Sequence, residues 1–423
     1  MRNRAVIPEI SKIVSIQIPE INKFKIGGIP CNVVSGASQP LIKLDISFAA
    51  GEAYNENPLV AMFTNQMLLE STLKHSAQEI AEQLDFYGIE ISPSNGMVYS
   101  TLSMICLTKY VEKAWVLLSE MITEPKFDED DLKILLENKR KQFLIELENV
   151  NHLARRYFRN AIFGKHHPYG KLYELEDFDH INSKQLFEHY QRLYNKDNLR
   201  IFVSGDVMEQ HLQFMENHLH IANKPSAIPA ISSNFIGKPQ KKYIQKEGAL
   251  QSAIRIGKLT ISRYHPDYHA LQIAIAILGG YFGSKLMQEL RERKGYTYGI
   301  GAFTMSLKET GYIVITTEVA SNVTNLAIQS IYEVIEHFCT HLISHEEMEN
   351  ARAYLMGEFL RTFDGSFNIL EAFKAMDDLG LGMEQYSHFL DVLKHITPEE
   401  ILSIAQRYLS NGYSEVVVGQ INE

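Results

Sequence analysis

At 423 residues the chain is too long for one ordinary hydrophobic core, and two or three domains are expected. Its 45% hydrophobic and 22% charged residues are those of a folded globular protein rather than a disordered one. A net charge of −10, with no basic block or stripe, argues against a general nucleic-acid binder, and no window approaches the roughly 20 apolar residues of a membrane span.

The N-terminal stretch MRNRAVIPEISKIVSIQIPEI is broken by Pro8 and several charges and lacks the apolar centre of a secretory signal, so the expected compartment is the cytoplasm. Cys31, Cys106 and Cys339 sit singly in apolar stretches with no CxxC and read as buried free thiols. A strand over 41–51 (LIKLDISFAAG) precedes a buried helix over 60–71, and another helix leads to paired alternating strands in 89–107. Ser94 and Asn95 lie at the turn of that pair, where Asn-Gly is a hairpin signal. Helix, loop and acidic helix start follow in 111–139. Glu137, Glu146 and Glu148 read as solvent-facing residues of the next helix, and His166-His167 as a surface loop before Pro168. A helix capped by Asn182 or Ser183 and a short strand over 199–206 close the first half.

Residues 223–240, with three prolines and little periodicity, read as an interdomain linker between a first lobe, 1–222, and a second, 241–423. The second half begins with a strand over 252–259 and a buried helix over 269–280. Leu286, Leu290 and the charged run 291–294 form the end of an amphipathic helix. Gly295 stops it, and Tyr296–Tyr298 begin an alternating strand pair reaching 319. His265 and His269, four apart in HPDYH, lack a glutamate at metal-binding spacing, and HEEMEN (345–350) is an acidic helix start favourable to the macrodipole.

The chain is written twice. HINSKQLFEHYQRLY (180–194) aligns without gaps with HITPEEILSIAQRYL (395–409), an offset of 395 − 180 = 215, and an apolar strand ending in glycine follows each. The helix–loop–acidic-helix order of 111–139 recurs in 326–355. Strands grouped before helices argue for α+β architecture. The fold expected is two duplicated lobes, each a mostly antiparallel or mixed sheet with helices packed on it, forming a clamshell.

These residues resemble the M16 (pitrilysin or insulinase-like) zinc metallopeptidases of the short bacterial type. The resemblance runs along nearly the whole chain and rests on ILGGYFGSKLMQELRERKGYTYG (277–299), HHPYGK (166–171) and VSGDV (203–207) in combination. Active members bind zinc through an inverted His-x-x-Glu-His helix in the first lobe, with a later glutamate as third ligand. The resemblance puts the two histidine positions at Met62 and Gln66 and the general base at Asn65. A thioether and neutral amides serve neither role, so no metal is expected in this chain.

The resemblance further implies that Arg291 and Tyr298 hold the substrate carbonyl and stabilise the tetrahedral intermediate, both being hydrogen-bond donors. It also implies that Ser94 and Asn95 belong to an edge strand that binds substrate by β-augmentation. The function expected is a zinc-less subunit that binds extended peptides and supplies Arg291 and Tyr298 to a partner carrying the zinc, in a heterodimer or with a second copy of itself. Neither nucleic acid nor membrane is an expected partner. The alternatives are an inactive scaffold or peptide-binding homologue and an active peptidase with an atypical site. The acidic balance hints that basic peptides are drawn to the surface.

Overall fold

The computed structural model describes residues 16–219, 221, 231 and 238–420. The expected linker therefore lies outside the described residues, apart from Ile231 and 238–240.

In the first half, β1 (Asn22–Ile26), β2 (Ile29–Ser35) and β3 (Leu41–Phe48) lead to α1 (Leu59–Met67) and α2 (Ala77–Tyr87). Next come β4 (Glu90–Asn95), β5 (Ser100–Leu107), α3 (Val111–Thr123), α4 (Glu129–Glu148) and α5 (Val150–Phe163). The half closes with α6 (Ser183–Leu193), β6 (Leu199–Gly205) and α7 (Glu209–Asn217).

The second half runs through β7 (Lys241–Gln245), β8 (Gln251–Thr260), α8 (Tyr268–Ile275), β9 (Ile300–Ser306) and β10 (Gly311–Ala320). It continues with α9 (Thr324–Thr340), α10 (His345–Thr362), α11 (Gly365–Asp377), α12 (Glu384–His395), α13 (Pro398–Leu409) and β11 (Ser414–Gly419).

The sheet orders are β1-β2-β6-β3-β5-β4 and β7-β11-β8-β10-β9. Without β1, the two are the same sheet. Each has one parallel pair, β2 with β6 and β7 with β11, and is otherwise antiparallel. The sequence repeat has a local cause at its helix starts. Asn182 caps α6 by accepting from the Gln185 amide, and Thr397 forms a capping box with Glu400 at the start of α13.

Alternation along each central strand divides its residues between two jobs. Ile42, Leu44, Ile46 and Phe48 of β3 point into the first core, as Ile254 and Ile256 of β8 point into the second. The opposite face of each sheet is covered by a helix from the other lobe. Phe158 and Ile162 of α5 pack on Ala253, Val416 and Val418 of the second sheet, and Leu370 and Phe373 of α11 pack on Val34 and Phe202 of the first. Burying each such side chain is worth about 1.5–3 kcal/mol. Gly257 of β8 permits the approach, since a Cβ there would collide with the Phe158 ring and the Ile313 carbonyl. The chain crosses between lobes where Asn149 leaves helical geometry and caps α5 through the His152 amide, ending α4.

Several local expectations need correction. The helix foreseen over 60–71 ends at Met67. That over 269–280 is α-helical only to Ile275 and then widens into a π-turn over Ala276–Gly280. His166 and His167 lie in the expected loop, His166 exposed, but His167 is buried: its ring stacks on Phe163 and accepts from the Tyr169 amide. The three cysteines are free and buried, and burial pushes the Cys31 and Cys106 thiols up to about 12. Among the described residues no helix is long and apolar enough to cross a membrane.

Candidate functional site

Met62 and Gln66 are four residues apart on α1 and therefore share one stripe, half-buried, with Met62 packed against the first core. Asn65, beside them on the helix, is fully buried. Its Nδ2 donates towards the Ser94 carbonyl at 3.1 Å, Asn95 Oδ1 at 3.0 Å and the Thr101 carbonyl at 3.1 Å. Its Oδ1 accepts from the Tyr194 hydroxyl at 3.3 Å. The amide thus ties α1 to β4, β5 and the end of α6. Three acceptors converge on residue 65, an arrangement suited to a donor and hostile to a carboxylate. A general base does not fit there.

A zinc ion does not fit either. The positions that the resemblance assigns to the ligands, Met62 and Gln66, offer a thioether and an amide, and Gln66 Oε1 is buried without a hydrogen-bond partner. Among the described residues no group of three or more His, Cys, Asp or Glu side chains is placed to hold a metal. Glu137 is exposed, and Glu148 pairs with Lys246 of the other lobe at 2.7 Å. Glu146 is less solvated than expected: it accepts from Gln142 at 2.9 Å and lies 3.6 Å from His152. His265 accepts from the Asp267 amide in its loop, while the buried His269 faces Gln385 at 3.2 Å, its imidazole pushed down to about 4 by burial. Ser344 and Glu347 form the capping box of α10.

Ser94 and Asn95 both lie on β4, the edge of the first sheet, beside α1. Ser94 is exposed, but the Asn95 side chain turns inward, between Asn65 and Ser100 Oγ. Pro93 is tolerated because an edge strand can lack a donor. The outer side of β4 is unpaired among the described residues, so its backbone is open to an added strand.

The structure brings Arg291 and Tyr298 together on the second lobe. The guanidinium lies between two rings, 4.6 Å from the centroid of Phe282 and 5.1 Å from that of Tyr298, with Glu292 at 3.5 Å from its Nε. Tyr298 is 90% exposed, so its hydroxyl is free to meet a ligand. The route between the two residues differs from the expected one. Met287–Arg293 forms wide π-turns, with the Lys294 amide donating to the Glu289 carbonyl five residues back. Gly295 at φ +65° ends them, as its position suggested. The strand begins only at Ile300. Thr297 Oγ1 directs its one proton between the Glu318 carbonyl at 2.7 Å and the Gly299 carbonyl at 2.9 Å, in place of a backbone ladder bond at 296–299.

Sequence reasoning missed the Asn65 network and a cluster of arginines on α5. The second had a signal, since Arg155 and Arg159 are like charges at i,i+4, a destabilising pair in an isolated helix.

Two family profiles match the chain. Residues 36–170 match the insulinase (peptidase family M16) domain and residues 180–355 the peptidase M16 inactive domain. The chain is 20% identical over 364 residues to the uncharacterized zinc protease YmxG of Bacillus subtilis, spanning 85% of this chain and 88% of that protein. It is 24% identical over 311 residues to the probable inactive metalloprotease YmfF of the same organism, spanning 71% of this chain and 72% of the relative. The fold matches the crystal structure of a peptidase M16 inactive domain from Pseudomonas fluorescens with a TM-score of 0.85 at 22% identity, covering 96% of this chain and 99% of the other.

Proposed function

Because the chain belongs to the M16 peptidase family and carries Met62, Asn65 and Gln66 where its zinc helix would stand, we propose that it is a non-catalytic member that works with a zinc-bearing partner. It binds an extended peptide along the free edge of β4 and supplies Arg291 and Tyr298 to the partner's site. The observation that carries this reading is the Asn65 amide, whose surroundings accept a donor and reject a base. Exposure of Tyr298 beside a guanidinium held between two rings supports the second half of it. Two donors directed at a carbonyl stabilise the charge that develops on its oxygen, and losing one such donor typically costs about 100-fold in rate. Three buried, unpaired thiols suit the cytoplasm.

The test is reconstitution. The purified chain alone shows no stoichiometric zinc by elemental analysis and no peptidase activity. Mixed with an M16 chain bearing His-x-x-Glu-His, it supports hydrolysis, and Tyr298→Phe lowers that rate about 100-fold. Full activity with Tyr298→Phe sinks the role of the tyrosine. Stoichiometric zinc in the chain alone sinks the whole reading. The second reading, a peptide-binding scaffold without hydrolysis, draws support from the relative named as a probable inactive metalloprotease. Peptide binding without partner-dependent turnover would select it.

A further inference from the structure

Between the lobes lies a cavity of about 560 Å³, walled by α5 and its neighbours on one side and by β8, β9 and β10 on the other. Five cations line it, Arg155, Arg156, Arg159, Lys171 and Arg255, against one carboxylate, Glu52. In a chain of net charge −10, that local excess is not background. Burial holds His152, also in the wall, below its usual range, so it adds no charge near neutral pH.

Three of the cations are already engaged. Arg156 donates to the Tyr173 carbonyl and lies 2.8 Å from Glu174. Arg159 donates to the Tyr169 carbonyl at 3.2 Å and stands 3.9 Å from Glu52. Lys171 donates to the Asn55 carbonyl at 2.8 Å and lies 3.6 Å from Glu56.

Arg155 and Arg255 differ. Neither has a carboxylate within ion-pair distance among the described residues. Arg255 Nη2 donates to Asn151 Oδ1 at 2.9 Å, and its Nε is buried without a partner. Burial first, and then the neighbouring Arg155 guanidinium, push Arg255 down from its usual range. Two guanidiniums lining one cavity, Arg255 half-buried and Arg155 more exposed, repel each other and are stabilised by an anion between them, and a planar carboxylate matches their fork of donors. The remaining wall combines an apolar shelf, with Phe158, Phe303, Met305 and Val314, and the hydroxyl-bearing Tyr173, Tyr312 and Thr316. That shelf gives the side chains of a peptide apolar surface to pack on, which a bare inorganic ion would not use.

We propose that this cavity is a carboxylate-recognition site for a peptide lying between the lobes, with Arg155 and Arg255 as the receiving pair. It rests on the reading above only in taking the ligand to be a peptide. The acid is either a side chain or a C-terminus, and it reverses, for the residue that enters the cavity, the preference for basic peptides suggested by the net charge.

The experiment uses the whole chain without a partner and fluorescence anisotropy with three labelled peptides of one length. One has a central Glu and an amidated C-terminus, one has Gln there and a free C-terminus, and one has Gln and an amidated C-terminus. At least one carboxylate peptide should bind 10-fold or more tighter than the all-amide peptide. Arg155→Gln and Arg255→Met should each remove most of that difference, and added NaCl should shrink it. Arg155 is exposed, so its variant keeps the fold. Equal binding by all three peptides overturns the carboxylate site and leaves the peptide reading standing. Binding by none overturns both. Discrimination that survives Arg155→Gln and Arg255→Met overturns the assignment of the pair.

Discussion

The two interfaces in which a helix of one lobe covers the sheet of the other share a plan and differ in charge. On the first sheet, Asp45 of β3 is fully buried and meets Lys374 of α11 at 2.8 Å, while Arg200 of β6 reaches Asp377 at 2.5 Å and Asp378 at 2.6 Å. Lys43 pairs with Glu371 alongside. On the second sheet, the cation on the corresponding face of β8, Arg255, lines a cavity with more cations from α5 and has no carboxylate at ion-pair distance among the described residues, Glu318 being held one step away through Asn151. One interface is neutralised from within and closed. The other keeps unspent positive charge around a cavity. A duplicated architecture has thus assigned structural cohesion to one interface and leaves the other able to receive a ligand.

The comparison breaks most visibly at Lys374. Lys374→Met leaves Asp45 buried without its partner and should cost about 3–5 kcal/mol in urea unfolding. A loss below about 1 kcal/mol would mean that the pair does not hold α11 to the first sheet. Acid is the next lever, and it should act on both lobes alike. In the first lobe His189 is buried, its Nε2 donating to the Ala50 carbonyl at 3.1 Å and its Nδ1 accepting from Asn55 at 3.1 Å. Burial pushes it down to about 4, as it does His269 in the second lobe. Below the unfolded value of about 6.5 the unfolded chain takes up protons that these imidazoles refuse. Stability should therefore fall between about pH 6.5 and 4, by up to about 3 kcal/mol for each histidine. A flat profile of unfolding free energy over that window would contradict the burial of both. The smallest effect belongs to Arg255. Arg255→Met removes a half-buried cation with no carboxylate partner and should change stability by less than about 1 kcal/mol, in contrast with Lys374→Met. A loss of about 3 kcal/mol would make Arg255 a structural residue and erase the difference between the interfaces.

Much of the fold was legible because its signals are local. The caps at Asn182 and Thr397, the acidic starts of α4 and α10 and the strand–glycine endings at 205 and 419 depend on residues within a turn of each other. Where local reading failed, a distant group intervened. Tyr296–Tyr298 alternates like a strand, but the Thr297 hydroxyl binds the Glu318 carbonyl from 21 residues away and keeps the segment out of the sheet. His167 is a different case, a loop residue as expected but buried by a near neighbour, since Phe163 four residues back stacks on it. Of the candidate site, the identities of Met62, Asn65 and Gln66 were legible, and with them the poor match of a thioether and two amides to zinc. What replaces the chemistry was not: Asn65 meets its acceptors at separations of 29 to 36 residues.

The sequence by itself determined the duplication, the α+β class and the identities at 62, 65 and 66, since these are written in periodicity, spacing and covalent structure. Tertiary structure alone decided that α5 and α11 trade lobes, that Asn65 is a strut and that Arg155 and Arg255, one hundred residues apart, line one cavity. The physical reason is that helical and strand periods mark which face of an element is apolar. They do not mark which distant face will cover it, and charge left unpaired at such a junction appears only when both sides are in place.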